Sequence, residues 1–303
     1  MSLPPSIASP LTGRESAALL KRRVPSSSIV ARYREEFGYD AERYFVGLPE
    51  VGVYECADTG FRFYFPFSIA GDETLYRKLQ EFEWNYQNDK WEHNIALKWL
   101  RPGQRVLDVG CGEGAFLNKA KQLGATVTGI ELNKSAAAVA RKKGIEVKEE
   151  MLDAHASMHA EHYDVVTSFQ VLEHIAEPQP FIADCLRVLK PGGRLIYGVP
   201  NDESFLKFAD APLNGPPHHM GLWTRDSLSA LCKLFPLELH SFEIEPLHDI
   251  DWYQAVMEAR YLPGKWQRRL YFRLGGNRLF NRFLKENADH IAGHTVVAAF
   301  TKT

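Results

Sequence analysis

The chain has 303 residues, 45% hydrophobic and 24% charged, a balance that supplies a buried core and excludes disordered, collagen-like and coiled-coil chains. Its 36 basic and 38 acidic residues give a formal charge of -2, so no global basic field exists to hold nucleic acid, although a local patch stays open. No apolar run approaches the roughly 20 residues of a membrane span, and the short stretch Ala17-Ala18-Leu19-Leu20 runs straight into Lys21-Arg22-Arg23, unlike a secretory leader.

Residues 1–70 read as a small N-terminal segment rich in Pro, Ser and aromatics, with strand-like pieces at 51–55 and 61–65. A helical linker follows over 71–100. Leu75, Leu79, Phe82 and Tyr86, then Trp91, Ile95 and Trp99, recur every three to four residues and predict helix over 74–100. Pro102-Gly103 stops it. From 101 onward strand and helix alternate. Strands are expected at 105–109, 126–130, 145–148, 163–169 and 194–199, with helices at 114–123, 134–143 and 179–189. A loop covers 201–222, Thr224 caps a helix over 225–235, and a sixth strand runs over 237–244. A helical, aromatic and basic insert at 251–290 precedes a seventh strand at 294–300. The order predicts an α/β fold: a doubly wound, seven-stranded, mostly parallel sheet with helices on both faces and right-handed crossovers.

The most informative segment is Val106-Leu107-Asp108-Val109-Gly110-Cys111-Gly112-Glu113-Gly114. A buried strand ends in a Gly-x-Gly-x-Gly turn that opens a helix, and ligands of open α/β sheets bind outside such strand ends. The dinucleotide pattern Gly-x-Gly-x-x-Gly is not met, because the third glycine comes one position early. Asp108 and Glu113 would repel phosphate there, whereas a carboxylate suits an ammonium group. Glu131 ends the second strand, where an acidic residue suits a ribose diol. Asp153, after the third strand, suits an adenine amino group. A nucleoside joined to an amino acid satisfies all three positions.

These features resemble the class I S-adenosylmethionine-dependent methyltransferases of the bacterial small-molecule type. The resemblance rests on residues 106–114, Gly129-Ile130-Glu131-Leu132-Asn133, Phe169-Gln170-Val171-Leu172-Glu173-His174-Ile175 and Leu189-Lys190-Pro191-Gly192-Gly193-Arg194-Leu195. It implies S-adenosyl-L-methionine as cofactor. Asp108, Gly110, Cys111 and Gly112 would lie at its methionine part, Glu131 at its ribose, Leu132 and Asp153 about the adenine, and Phe169 and Gln170 near the sulfonium.

Methyl transfer to a neutral hydroxyl gains from positioning and from a general base. Histidine suits that role. Pro216-Pro217-His218-His219-Met220 lies in the loop after the fifth strand, so His219 or His218 is the candidate base or acceptor ligand, with His174 beside Glu173 as the other. A loop-bonded or packing histidine is the alternative for each. His155, His159 and His162 are expected on the surface. In the N-terminal segment, Ser9-Pro10-Leu11-Thr12-Gly13 and Cys56-Ala57-Asp58-Thr59-Gly60 share the shape of a Cys-x-x-Cys-Gly knuckle, as in similar methyltransferases with a zinc-ribbon-like segment. Only Cys56 stands where four thiolates are expected. The reading is a degenerate knuckle without metal, or two turns alike by chance.

Over 251–290, eight Lys and Arg face four Asp and Glu, with eight aromatics interleaved. A solvated helix pair packing its aromatics on the core is favoured. Acceptor binding through arginine and aromatics, or an amphipathic membrane-surface helix, are the alternatives. The four separated cysteines, Cys56, Cys111, Cys185 and Cys232, read as reduced thiols of a cytoplasmic protein. The function expected is methyl transfer to a hydroxyl of a carbohydrate or cell-envelope metabolite. A quinone- or lipid-directed enzyme and a non-catalytic cofactor-binding module are the alternatives. No nucleic acid is expected as partner: Ser168-Phe169-Gln170-Val171 is not the Asn/Asp-Pro-Pro-Tyr/Phe segment of amino-directed enzymes.

Overall fold

A computed structural model describes residues 3–79, 90–209 and 211–303. The N-terminal part opens with the short strand β1 (Ser6–Ile7), then β2 (Ala18–Pro25), helix α1 (Ser26–Phe37), β3 (Glu50–Cys56) and β4 (Arg62–Phe65). The expected pieces at 51–55 and 61–65 are the hairpin β3–β4. Strand β2 and helix α1 were not foreseen. The apolar run at Ala17–Leu20 is the start of β2, pairing antiparallel with β3. Helix α1 is mostly Ser, Arg and Glu and buries Ser26, Ile29, Val30 and Tyr33. It ends at Gly38, whose φ of 58° closes the turn.

Helices α2 (Glu73–Leu79) and α3 (Trp91–Leu97) fall inside the expected helical linker over 71–100. Phe82 and Tyr86 of that pattern lie outside the described residues. The alternating region then follows: β5 (Arg105–Val109), α4 (Ala115–Gln122), β6 (Thr126–Ile130), α5 (Lys134–Lys142), β7 (Glu146–Lys148), α6 (Leu152–Met158), β8 (Tyr163–Phe169), α7 (Pro178–Val188) and β9 (Leu189–Pro200). Helix α6 is the one unforeseen member. It overturns the surface reading of His155, which is fully buried and bonds Glu150 and the Tyr163 hydroxyl through its two ring nitrogens at 2.7 and 2.9 Å. Its ring stacks on His159 at 4.1 Å.

Beyond β9 come β10 (Gly221–Leu222), α8 (Arg225–Ser229), α9 (Leu231–Leu234) and β11 (Leu237–Pro246). Thr224 caps α8 in a reciprocal box with Ser227. The helix expected over 225–235 is thus two short ones. Helices α10 (Ile250–Tyr261), α11 (Lys265–Arg273) and α12 (Gly276–Asn287) form the insert, and β12 (Ala292–Lys302) closes the chain.

Seven strands form one sheet in the order β11-β12-β9-β8-β5-β6-β7. β7, β6, β5, β8 and β9 pair in parallel, while β12 and β11 are antiparallel. Adjacent residues of each strand point to opposite faces. Val106, Val165, Ile196 and Val297 meet α3, α4 and α5, while Leu107, Val166, Tyr197 and Ala298 meet α6, α7, α8 and α9. Both faces are covered, as the near-continuous apolar strands require. The sheet order reverses at β5, so the crevice beyond its carboxyl end is the topological switch point.

A second, antiparallel sheet runs β1-β2-β3-β4-β10. β10 comes from the loop after β9 and pairs with β4, Gly221 opposite Phe63 and Leu222 opposite Arg62. Trp223, 1% exposed, lies 4.3 Å from the Phe61 ring. Tyr54, Phe61 and Phe63 share one core with Leu107, Tyr197 and Phe300. The N-terminal sheet thus shares a core with the large one. The knuckle-like turns adjoin: Ser9 and Thr59 hydroxyls bond the Cys56 thiol and hold it below its ordinary value against burial. This set of one thiol and hydroxyls is not a zinc donor set.

The expectation that the insert packs its aromatics on the core holds for Trp252, Tyr253 and Phe280, which pack against Phe205, Val256 and Leu284, and is corrected for Tyr261, Trp266, Phe272 and Phe283. Trp266 and Phe283 are 69% and 53% exposed, with Leu270, Phe272, Leu274 and Leu279 also outward. α11 buries none of its residues. No helix among the described residues is long and apolar enough to cross a membrane.

Packing at the ligand edge is tight enough to test. A Cβ on Gly129 would stand 2.4 Å from Cys111 Sγ and 3.1 Å from Leu117 Cδ1. Gly129→Ala is expected to lower unfolding stability by about 1–3 kcal/mol, read as a lower denaturation midpoint. An unchanged midpoint would mean that Cys111 swings clear.

Candidate active site

The glycine turn is built at the end of β5. Gly110, Gly112 and Gly114 all take positive φ, at 79°, 53° and 74°, conformations that L side chains resist. At Gly110 a Cβ would also strike Val171 Cγ2 at 2.4 Å. The Glu131 carboxylate fixes the turn from the next strand end: Oε2 accepts from Gly112 N at 2.8 Å and Oε1 from Asn133 N at 2.7 Å. Asn133 in turn caps α5 by accepting from Ser135 N.

Asp108 lies under the turn, 3% exposed, and accepts from Thr167 Oγ1 at 2.7 Å. Burial raises its carboxyl to about 7, with the Thr167 bond working against it and the Glu131 charge adding to it. Cys111 is buried in the same turn, its thiol pushed up by burial. Leu132 and Met151 are 58% and 61% exposed just past the ends of β6 and β7. Asp153 is exposed in the first turn of α6 and bonds Ala154 N.

Phe169 and Gln170 part ways. The Phe169 ring is buried against His93 and Phe116, each 4.9 Å away. Gln170 turns at φ 54°, a non-glycine left-handed residue of the kind that marks functional sites. Its amide donates to Glu92 Oε1 at 3.3 Å. Glu92, on α3 and 4% exposed, was not singled out from the sequence. A lone Glu in a helix pattern gives no signal of what faces it.

The three histidine candidates converge. The loop carrying His218 and His219 is pinned by Gly71 N donating to Pro217 O and Met220 N donating to Glu173 O, at 2.7 and 2.8 Å. His174 Nδ1 donates to the His218 carbonyl at 2.8 Å. The rings of His174, His218 and His219 lie 4.5–4.9 Å apart. Glu173 faces them, 1% exposed, its Oε1 3.9 Å from His174 Nε2 and 4.0 Å from His219 Nε2. Neither Glu173 oxygen has a hydrogen-bond partner among the described residues. Burial raises Glu173 to about 8, with its own backbone N–H and Lys90 opposing and Glu92 adding. Burial lowers His174 to about 4 against the His218 and Gln170 carbonyls, and holds His218 and His219 well below their ordinary value.

A second group, Glu245, His248 and His294, stands at the same edge, where β11 ends and β12 begins. Glu245 Oε1 is 3.2 Å from His248 Nδ1. Its signal in the sequence was weak, since 46 positions separate His248 from His294. Beside the histidine loop, a cleft of about 620 Å³ opens between the N-terminal sheet and residues 206–209 and 211–216. Arg22, Arg32, Arg62 and Lys207 are among its lining cations, and Asp202 and Tyr64 share it.

Residues 84–241 match a family model described as a methyltransferase domain. The ubiquinone biosynthesis O-methyltransferase of Salmonella arizonae is 41% identical over 105 residues, and that of Klebsiella pneumoniae is 40% identical over the same length. The match takes in 33% of this chain, and the chain spans only 43% of the length of these relatives. A S-adenosylmethionine-dependent methyltransferase from Archaeoglobus fulgidus superposes with a TM-score of 0.50 and 17% identity, over 75% of this chain and all of that one. That likeness concerns the fold. With just over half of the chain inside the family model, and the glycine turn and sheet order in place, the chain belongs to the class I S-adenosylmethionine-dependent methyltransferases.

Proposed function

We propose that this chain moves a methyl group from S-adenosylmethionine to a hydroxyl of a small molecule. When bound, that cofactor supplies an electrophilic methyl on a cationic sulfur. The observation that carries the reading is the buried Asp108 carboxylate under a turn of three left-handed glycines. Asp108 would hold the cofactor's ammonium group, and the Gly110, Cys111 and Gly112 backbone would admit its methionine part. Glu131 would accept from the ribose hydroxyls, since a carboxylate has about four lone-pair sites and the turn uses two. Leu132, with Met151, would flank the adenine, and Asp153 would face its amino group. Gln170 would edge the sulfonium, with Phe169 as a buried support behind it.

The reading predicts a pH dependence. Asp108 loses its proton near pH 7 in the free protein, and a cationic partner requires the carboxylate. S-adenosylhomocysteine affinity should therefore rise about tenfold from pH 6 to pH 8. The sign for folding is opposite. A raised carboxyl adds stability below its unfolded value near 3.8 and loses it as pH rises through about 7. Calorimetry at the two pH values checks the first effect, and Asp108→Asn should flatten it.

The acceptor reading is a hydroxyl of a carbohydrate or cell-envelope metabolite carrying an anionic group. The cleft supports it, because its arginines and lysine suit phosphate or carboxylate. We assign cofactor binding and chemistry to residues 101–303, one wall of the acceptor cleft to the knuckle-like segment 1–70, and the join between them to the linker 71–100. His219 or His218, or His174 behind them, receives the acceptor hydroxyl. The test is label transfer from methyl-labelled cofactor to a panel of sugar nucleotides and glycolipids. Cofactor binding with no transfer to any hydroxyl acceptor would leave a non-catalytic module instead.

A second reading, a quinone- or lipid-directed enzyme, is favoured by the insert. Trp266, Leu270, Leu274 and Phe283 are exposed beside Arg268, Arg269, Arg273 and Arg282, a composition suited to an anionic membrane surface. Flotation with vesicles containing phosphatidylglycerol decides it. Binding lost at high salt or in Trp266→Ala supports it, and no flotation removes it.

A further inference from the structure

We propose that His174, His218 and His219, with Glu173 beside them, form a site for one divalent cation of the zinc class. One nitrogen of each ring lies within 4.8 Å of the other two. Zinc–nitrogen bonds of about 2.0–2.1 Å set tetrahedral nitrogens about 3.4 Å apart, so the rings close in by about 1.4 Å at most.

The surroundings orient the rings as ligands. His174 Nδ1 donates to the His218 carbonyl, His218 Nδ1 to the Leu213 carbonyl at 3.1 Å, and His219 Nδ1 to Asn214 Oδ1 at 3.3 Å. Each ring thus carries its proton on Nδ1 and keeps a lone pair on Nε2. Metal-bound imidazoles are held in the same way, the other ring N–H donating to an oxygen. The independent observation is Glu173. Its carboxylate is 1% exposed, faces the His174 and His219 Nε2 atoms, and has no hydrogen-bond partner among the described residues. Burying such a group without a partner is costly, and a cation between it and the three nitrogens removes the cost. Three imidazoles with a neighbouring carboxylate select the zinc class over magnesium or calcium. Three protein nitrogens leave a fourth position open to an oxygen ligand. On the methyl-transfer reading above, that ligand is the acceptor hydroxyl, and the imidazoles hold its counter-ion instead of acting as bases.

The test uses the full chain purified without chelator. Metal content is measured by plasma mass spectrometry. Chelator-stripped protein is then titrated with Zn2+ against a chromophoric indicator and with Co2+ by visible absorption. One equivalent of Zn2+ per chain and a four-coordinate Co2+ spectrum are expected. His219→Ala and His218→Gln should each weaken Zn2+ by at least about tenfold, the loss found even for groups that only hydrogen-bond to a ligand. His248→Ala, in the other acidic–histidine group, should keep the full equivalent. Folded wild type that takes up no Zn2+ overturns the site, and so does loss of the equivalent in His248→Ala with retention in His219→Ala. If both loop variants fail to fold, wild-type stoichiometry and the Co2+ spectrum decide. S-adenosylhomocysteine calorimetry on the same samples separates the two claims. Cofactor binding without Zn2+ removes only the metal site, and Zn2+ binding without cofactor removes only the methyl-transfer reading.

Discussion

Glu131→Ala is expected to weaken S-adenosylhomocysteine binding about 100-fold while the large sheet stays folded. The carboxylate has two jobs. It holds Gly112 N and Asn133 N, which sets the shape of the turn, and it would accept from two ribose hydroxyls. Hydrogen bonds to a charged group contribute about 1.5–3 kcal/mol each, and about 1.4 kcal/mol is tenfold in affinity. Two ribose bonds alone therefore account for about 100-fold. Glu131 is half-exposed at the end of β6 and fills no core, so the far-ultraviolet spectrum should be unchanged. Calorimetry checks it. A loss smaller than about threefold would take Glu131 out of the cofactor site.

His219→Ala should lower turnover by about 100-fold or more, since it removes a group that places the acceptor hydroxyl, and leave cofactor affinity within about threefold. The separation follows from place. His219 sits with His174 and Glu173 on the histidine loop side of the edge, and its side chain bonds Asn214 and none of the glycine-turn residues. Single-turnover kinetics with an acceptor found in the panel, paired with S-adenosylhomocysteine calorimetry, read the two effects apart. Unchanged turnover would remove His219 from the mechanism. A parallel fall in cofactor affinity would mean that the substitution has disturbed the whole edge.

The large sheet was legible because its central parallel strands are buried on both faces and read as largely apolar runs, such as Val106 to Val109 and Val165 to Phe169. The glycine turn was legible for a different reason. Positive φ at 110, 112 and 114 leaves little room for other residues, so the backbone requirement is written in the sequence itself. Helix α1 escaped notice because Arg and Glu outnumber the apolar residues of its one buried stripe. Strand β10 is two residues long and exists only through its pairing with β4. Helix α6 carries an aspartate, a histidine and a serine in seven residues, a pattern with no clear apolar period.

The acceptor side was legible in its parts and not in its assembly. His218 and His219 were singled out from their loop and His174 from its turn, yet 44 positions separate His174 from His218. Their meeting depends on the loop being held by Gly71 and Glu173 backbone bonds. The isolation of the Glu173 carboxylate is a property of packing alone. The insert shows the converse failure. Its interleaved aromatics suggested a helix pair packed on the core, which α10 and α12 satisfy through Trp252, Tyr253 and Phe280, whereas α11 buries none of its residues, and composition cannot tell an aromatic that packs inward from one left outside.

The central claim is that the edge beyond β5, β6 and β7 holds S-adenosylmethionine, and titration of the wild-type chain with S-adenosylhomocysteine in a calorimeter at pH 8 tests it most directly. One site per chain with micromolar affinity, weakened in Glu131→Ala and in Asp108→Asn, is the predicted result. No binding heat from protein whose circular dichroism and cooperative unfolding show an intact fold would contradict it.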